Sequence, residues 1–430
     1  MRNQINRRTF LRCAGIGAAG MWVGGCQTAP RPVAANERLN LGIVGVANQG
    51  QYNLNEVATE NIVALCDVQE TYLNAAAQKF PAAATYKDFR RLLDRRDLDA
   101  VVVATPDHTH AVIAVGALRS GRHVYCEKPL ARTISEVRVI TETARRMKRV
   151  TQIGTQIHAG SNYRRVVELI QSGAIGEVGE VHVWVAASYG GQDVPRETLP
   201  IPEGLDYDLW LGPVAWRPYS PEYLPFKWRN WWAFGGGALA DFGCHFMDLP
   251  HWALGLSHPT SAEVVDGPPV HAESTPPWLI VRYTHPPREA QPPVTLTWYH
   301  GGKRPELPSD TGDYAWRSGA LFVGTRGQLI SDYTRHNLLP VAQFEGYARP
   351  EPFIPESIGH HQEWIRGCKT GAVTTCGFEY SGPLTEAALL GNVAYRTGRK
   401  LQWDWERQTA VGDPEAQPFI EHKYRKGWSI

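Results

Sequence analysis

The 430-residue chain lacks an excess of charge of either sign: 44 Lys and Arg against 43 Asp and Glu leave a formal +1. Its first 25 residues hold four arginines and no acid, so the remainder is slightly negative. A chain without a basic surplus has no electrostatic footprint for nucleic acid, and that class of partner is excluded. Cysteine is sparse, with seven residues at no metal-ligand spacing, so neither a disulfide scaffold nor a zinc module is indicated. Also missing is an apolar run of the roughly 20 residues needed to span a bilayer. Hydrophobic residues at 43% and charged residues at 20% are ordinary globular values, which excludes a disordered chain and a coiled coil. The length suggests two domains.

What is present begins with an address. Asn6-Arg7-Arg8-Thr9-Phe10-Leu11-Arg12 is similar to a twin-arginine (Tat) export signal. The uncharged stretch from Cys13 to Gly25 has the length of a signal h-region. It ends Val23-Gly24-Gly25-Cys26, which resembles a lipobox with Cys26 as the lipidated residue; cleavage elsewhere, or an uncleaved anchor, is the competing reading. Residues 1–25 are therefore expected to be a signal peptide and 26–37 a linker. The expected location is periplasmic or membrane-anchored, with the membrane touched only through that signal or lipid.

From Leu39 onward short apolar runs alternate with helical stretches: strands at 39–46, 62–66, 100–104, 123–126 and 150–153, with helices at 70–79, 109–119 and 134–148 among them. That alternation implies right-handed crossovers and a doubly wound parallel sheet, a Rossmann domain over 38–155. The first strand runs into Gly45-Val46-Ala47-Asn48-Gln49-Gly50. Small residues there let the backbone approach a pyrophosphate, and Ala47 stands where a second glycine is usual. Asp67 ends the next strand, about 20 residues on, where an acid accepts hydrogen bonds from a ribose diol. No Lys or Arg follows in Val68-Gln69-Glu70, so NAD is favoured over NADP. A nucleotide-free doubly wound domain is the bland alternative.

Three further stretches are more specific. Thr105-Pro106-Asp107-His108-Thr109-His110 follows a strand, and Cys126-Glu127-Lys128-Pro129-Leu130 follows the next. Later comes Gly235-Gly236-Gly237-Ala238-Leu239-Ala240-Asp241-Phe242-Gly243-Cys244-His245-Phe246-Met247-Asp248. Asp241 and His245 are four apart on an expected helix and share a face, with Asp248 near it. Together these motifs resemble the Gfo/Idh/MocA oxidoreductases. The resemblance implies that Lys128 faces substrate and nicotinamide, often beside a cis peptide to Pro129, that His245 is the acid/base and that Asp241 binds or orients substrate. It also implies cofactor contacts from Thr105, Pro106, His108, His110, Glu127, Lys128 and Gln156, added to Gly45, Ala47, Asn48, Gln49, Gly50 and Asp67. An imidazole suits proton transfer from a secondary alcohol, and a lysine ammonium suits the alkoxide charge that develops. Asp241, His245 and Asp248 as a metal triad, or as a polar seam on a core helix, are the other readings; no metal is expected.

The second half, 156–430, carries candidate strands at 177–188, 278–284, 294–300 and 319–324 without intervening helices, hence an α+β substrate domain with a mostly antiparallel open sheet. Segment 190–234 holds seven prolines and the tryptophans Trp210, Trp216, Trp228, Trp231 and Trp232. Tryptophan faces stack well on sugar rings, and Trp231 is the candidate substrate contact. His360 and His361 read as helix-start residues. Cys66, Cys126 and Cys244 read as buried thiols, and a Cys368–Cys376 pair stays open. The expected function is oxidation of a hydroxyl on a sugar, cyclitol or glycoside by tightly bound NAD. Alternatives are a redox-neutral NAD-dependent glycosidase and a non-catalytic sugar-binding lipoprotein. The expected partner is a small carbohydrate, and the expected assembly a homo-oligomer.

Overall fold

The computed structural model describes residues 37–430 apart from 195, 289, 290 and 313; Arg7, Arg8 and Cys26 lie outside the described residues. Strands β1 (Asn40–Val44), β2 (Asn61–Cys66), β3 (Ala84–Tyr86), β4 (Ala100–Val103), β5 (His123–Cys126) and β6 (Thr151–Ile153) form one parallel sheet in the order β3-β2-β1-β4-β5-β6. Helices α1 (Gln49–Glu56), α2 (Glu70–Lys79), α3 (Phe89–Leu93), α4 (Asp107–Arg119) and α5 (Ile134–Met147) cross between them. The strands read as continuous apolar runs because both faces of the sheet are covered. In β4, Val101 and Val103 enter the core under α4 and α5, while Ala100 and Val102 enter the opposite one with Leu54 and Leu73. Helix α5 starts at a capping box, with Thr133 Oγ1 accepting from Glu136 N–H and the Glu136 carboxylate accepting from Thr133 N–H at 3.0 Å. The strand order reverses between β1 and β4, and their carboxyl ends open the crevice where such sheets bind ligands.

The second sheet has nine strands in the order β13-β12-β11-β7-β10-β9-β8-β14-β15. They are β7 (Val178–Trp184), β8 (Ser261–Asp266), β9 (Leu279–His285), β10 (Val294–His300), β11 (Gly319–Gly324), β12 (Gly327–Ser331), β13 (His336–Leu339), β14 (Leu401–Asp404) and β15 (Thr409–Ala410). β7 and β10 run parallel; the other pairs run antiparallel. Its helices are α6 (Ser161–Gln171), α7 (Tyr207–Leu211), α8 (Gly237–Phe246), α9 (Asp248–Leu254), α10 (His360–Thr370) and α11 (Phe378–Thr397). Helix α11 packs on α8, on β8 and β9, and on α5 of the first sheet, so it locks the helix carrying Asp241 and His245 to the nucleotide domain. Trp364, Ile365 and Cys368 of α10 join the core behind β1 and β2, although α10 lies far along the chain from that sheet.

Two expectations change, and one open question closes. The stretch from Gly235 to Asp248 is not one helix: α8 stops at Phe246 and α9 begins at Asp248, with Met247 as a turn. Pro250 has no N–H to give the Phe246 carbonyl and its ring crowds that carbonyl, so the helix breaks there. The strand expected over 177–188 is regular only over Val178–Trp184. Strands β3, β8 and β12–β15 lack the unbroken apolar run of β4 and do not stand out in sequence. Cys66, Cys126, Cys244, Cys368 and Cys376 are all buried free thiols, so Cys368 and Cys376 do not pair.

Burial leaves many histidines neutral. It pushes His108 and His361 down to about 3, and His251 and His300 down to about 4. An unfolded histidine titrates near 6.5. Between those values the unfolded chain binds protons that the folded chain refuses, so stability is greatest above pH 6.5 and falls as pH drops toward 4. Asp67, Asp107 and Glu127, raised by burial, oppose this but are fewer. Thermal melts should show Tm lower at pH 5.0 than at 7.5 by more than about 5 °C. A flat or rising Tm over that interval would contradict the assignment of neutral buried imidazoles.

Candidate active site

The turn after β1 holds the chain hard against β4. Gly45 has φ +85°, and a Cβ there would stand 2.5 Å from the Ala104 carbonyl oxygen; a Cβ at Gly50 would stand 2.0 Å from the Gly45 carbonyl oxygen. Both positions therefore require glycine, whereas Ala47 is accommodated on the cleft wall. Asn48 takes a left-handed φ of 52° just before α1. Asp67, at the end of β2, braces this turn. Its Oδ2 accepts from Val46 N–H at 3.0 Å and its Oδ1 from Gln69 N–H at 2.9 Å. Burial raises its carboxyl, and those backbone bonds pull it partly back.

A cavity of about 280 Å³ runs along the carboxyl ends of the strands. At one end stand Asp67, Gln69, Lys87, Phe89 and Trp428; Gly45, Ala47, Asn48, Gln49, Thr105 and Pro106 follow; at the other end are Glu127, Lys128, Gln156, Arg229 and His245. Lys87 is the cation at the Asp67 end that sequence reading missed, and its ammonium is held by Glu70 at 3.0 Å. The second domain supplies a roof. Asp206 N–H donates to the Val68 carbonyl at 2.9 Å and Glu70 N–H to the Gly204 carbonyl at 3.0 Å, which bolts segment 204–229 beside Asp67. Leu205, Leu209, Trp210, Phe226 and Trp228 from that segment line the cleft.

At the far end, charges from both domains meet on one carboxylate. Asp241 Oδ1 accepts from the Lys128 ammonium, which also donates to the Asp241 carbonyl at 3.1 Å. Arg229 Nε lies 3.1 Å from the same Oδ1, and Tyr189 Oη donates to Oδ2 at 3.1 Å. Burial pushes the Asp241 carboxyl up, but the Lys128 and Arg229 charges outweigh it and hold the group well below the usual range. His245, one turn further along α8, lines the cleft. Burial first, and then the Lys128 charge, push its imidazole down to about 3. Its Nδ1 is buried with no partner among the described residues. The end of the cleft thus holds a neutral base beside a fixed cation. Asp107 lies within reach of the same charges; burial raises it well above the usual carboxylate range, with Arg229 and Lys128 opposing and Asp241 adding.

Glu127, also at this end, is buried, and its Oε1 accepts from Gln49 at 3.2 Å, Asn53 at 2.9 Å and Gln156 at 3.0 Å, tying the turn, α1 and the domain hinge together. Other expected residues fall elsewhere. His108 does not line the cleft: its Nε2 lies 2.7 Å from the Trp210 carbonyl and its ring packs on Trp210 and Phe234. His110 does not line it either; its two ring nitrogens contact the carbonyls of Pro129 at 2.8 Å and Thr105 at 2.7 Å, joining the two strand-end turns. The Lys128–Pro129 peptide is cis. Trp231 is corrected from substrate contact to anchor, because it is 1% exposed and donates to the Glu222 carbonyl at 2.8 Å. Asp248 cannot join Asp241 and His245 around a metal, since the helix break turns it into a separate buried cluster with His158 at 3.0 Å and Tyr380 at 2.7 Å. His360 does open α10, and with His361 it sits in the domain interface away from the cleft, bonded to the Ile153 carbonyl and Asn53. Arg229, Tyr189 and the Trp428 wall went unseen because they come from irregular segments with no periodicity.

The crevice, the two required glycines and the acid at the end of β2 fit a dinucleotide. Residues 39–155 match the description "Oxidoreductase family, NAD-binding Rossmann fold", and 161–287 match "Oxidoreductase family, C-terminal alpha/beta domain". The chain thus joins an NAD-binding Rossmann domain to the C-terminal alpha/beta domain of an oxidoreductase family. It belongs to the Gfo/Idh/MocA family. Inositol 2-dehydrogenase of Salmonella typhimurium is 33% identical over 168 residues, covering 38% of this chain and 49% of that protein. Alpha-N-acetylgalactosaminidase of Shewanella oneidensis is 27% identical over 205 residues, covering 41% and 45%. The match thus spans about half the length of these relatives. Among solved structures, the WlbA dehydrogenase of Bordetella pertussis, in complex with NADH and UDP-GlcNAcA, has a TM-score of 0.60 at 18% identity, covering 86% of this chain and 99% of that one. Aldose-aldose oxidoreductase of Caulobacter crescentus, complexed with glycerol, has 0.58 at 16%, covering 85% and 100%. At such identities these structures speak for the fold.

Removing one partner of a buried ion pair typically costs about 3–5 kcal/mol. Asp241→Asn leaves Lys128 and Arg229 facing each other without their shared anion, so urea unfolding should show a loss of that order. A loss below about 1 kcal/mol would mean that water already screens the cluster. A second outcome concerns cofactor choice. The ionised Asp67 repels a 2′-phosphate, so fluorescence titration of cofactor-free protein should give NAD at least about tenfold tighter binding than NADP. Asp67→Ala should narrow that ratio, and an unchanged ratio would remove Asp67 from the assignment.

Proposed function

We propose that the protein oxidises a hydroxyl group of a sugar, cyclitol or glycoside, with Lys128, Asp241 and His245 as its catalytic group. The observation that carries this reading is the pairing of a neutral His245 imidazole with the Lys128 ammonium at one end of a cleft whose other end bears the glycine turn and Asp67. Bound NAD supplies the hydride acceptor. His245 takes the hydroxyl proton, for which its neutral state prepares it. Lys128 stabilises negative charge on the substrate oxygen, and Asp241 holds Lys128 in place while Arg229 and Tyr189 hold Asp241. Trp228, with the Arg229 guanidinium 4.1 Å above its ring, and Trp210, stacked on Tyr207, form an aromatic wall of the cleft.

Retention of the cofactor follows from the roof. Segment 204–229, fixed by the Val68–Asp206 and Glu70–Gly204 bonds, and Trp428 wall the Asp67 end and narrow the way out for a bound dinucleotide. Such retention suits an enzyme exported by the Tat route, which the Arg7–Arg8 pair and Cys26 suggest, because free NAD is scarce outside the cytoplasm. A retained nicotinamide must be reset within the site, either by reducing a second sugar or by a redox-neutral elimination and hydration. The likeness to the Shewanella glycosidase keeps the latter in view.

His245→Ala should keep NAD and the fold but lose turnover by about a hundredfold or more. In the wild type, a base held down near 3 stays unprotonated throughout the working range, so kcat/KM for alcohol oxidation should show no acid limb near pH 6.5 and stay level down to pH 5. An acid limb at pH 6–7 that disappears in His245→Ala would overturn the neutral-base assignment. Accumulation of a keto-sugar marks net oxidation; bond cleavage without it marks the redox-neutral cycle.

A further inference from the structure

Behind the glycine turn that opens α8 lies a second cavity of about 330 Å³, which shares no lining residue with the cofactor cleft. Arg132, Arg217 and Arg396 line it. Arg132 is only 7% exposed; its Nη1 donates to the Ala233 carbonyl, while Nε and Nη2 are buried without partners among the described residues. Arg217 reaches Glu273 at 3.1 Å, and its Nε is likewise buried and unpartnered. Arg396 lies over the rings of Trp232 and Phe419, at 5.0 and 4.1 Å, and makes no hydrogen bond or ion pair among the described residues. Burial, with the charges of all three arginines, pushes the neighbouring His422 down to about 4. Three guanidinium groups therefore face two carboxylates, Glu273 beside Arg217 and the buried Glu136 near Arg132, with buried N–H groups idle between them.

Ordered water would satisfy idle N–H groups but would leave the excess charge uncompensated in a region of low dielectric. Native interiors rarely keep buried cations and buried donors unmatched. The volume is also informative. Water occupies about 30 Å³ per molecule in the liquid, so the cavity holds a body on the order of ten such units, more than one inorganic anion fills. Trp232 and Phe419 provide apolar walls on the side away from Arg132 and Arg217.

We infer that this cavity is a second ligand site, for an organic oxyanion: a carboxylate or phosphate monoester carried on a small polar body, its anionic group between Arg132, Arg217 and Arg396. The site borders both elements that carry the catalytic group, since Arg132 follows the Lys128–Pro129 turn and Asn392 Nδ2 donates to the Gly236 carbonyl at 2.8 Å where α8 begins.

Isothermal titration of the NAD-loaded protein with inorganic phosphate, gluconate, glucose 6-phosphate and uncharged glucose, at ionic strength fixed with potassium chloride, tests this. At least one organic anion should bind saturably with unit stoichiometry and more tightly than inorganic phosphate, and glucose should not compete with it. The gluconate and glucose 6-phosphate arms separate carboxylate from phosphate. Arg396→Gln and Arg217→Gln, both at partly exposed positions, should each weaken binding by about tenfold or more, the loss expected for a charge-assisted contact. Near-ultraviolet circular dichroism and NAD content serve as fold controls. Absence of saturable binding by every anion, or binding that survives unchanged in both variants, would overturn the inference.

Discussion

The ion cluster on Asp241 is the contact on which the rest of the structure depends. Lys128 comes from the turn after β5 in the first sheet, Asp241 from α8 of the second domain, and Arg229 from the roof segment between them. One carboxylate thus joins three parts of the chain that approach only in the folded state. Two cations on one anion make the local charge positive. That excess keeps Asp241 ionised, whereas burial first, and the Lys128 charge second, hold His245 neutral. The contact thus sets the geometry, and burial adds the protonation state of the base.

The roof follows a different logic. Segment 204–229 has little regular structure and is held by an aromatic cluster of its own, with Tyr207, Trp210, Tyr223, Trp228, Trp231 and Phe234 packed together. Such a cluster keeps a proline-rich loop rigid enough to serve as a wall. His108, which reads in sequence like a cofactor contact, is the peg on which this wall hangs, through the Trp210 carbonyl. Cofactor enclosure and domain docking are consequently one structural task.

Much of this was legible in the sequence, and the reasons for success and failure differ by residue. The parallel sheet was readable because buried strands such as Ala100–Val103 are apolar at every position. Gly45, Gly50 and Asp67 were readable because backbone closeness and strand-end geometry leave few alternative residue types. Lys128, Asp241 and His245 came from motif resemblance, and the structure brings them to one end of the cleft. Asp248 was misplaced because one proline two residues on breaks a helix that spacing alone would continue. Trp231 was misjudged because composition cannot tell a tryptophan that lines a cleft from one that anchors its wall. Arg229, Tyr189 and Trp428 carry no local signal; only the return of distant segments onto the first sheet brings them to the cleft.

The central claim is that hydride leaves a carbohydrate carbon for a nicotinamide the protein never releases. Its most direct measurement is mass spectrometry of the cofactor recovered from the protein after exposure to a glycoside deuterated at its ring carbons, without added NAD. The account predicts deuterium on the reduced nicotinamide when the reaction is quenched before the cofactor is reset, with the cofactor still protein-bound. Reduced cofactor without deuterium at that stage, or turnover only when NAD is supplied from solution, would contradict it.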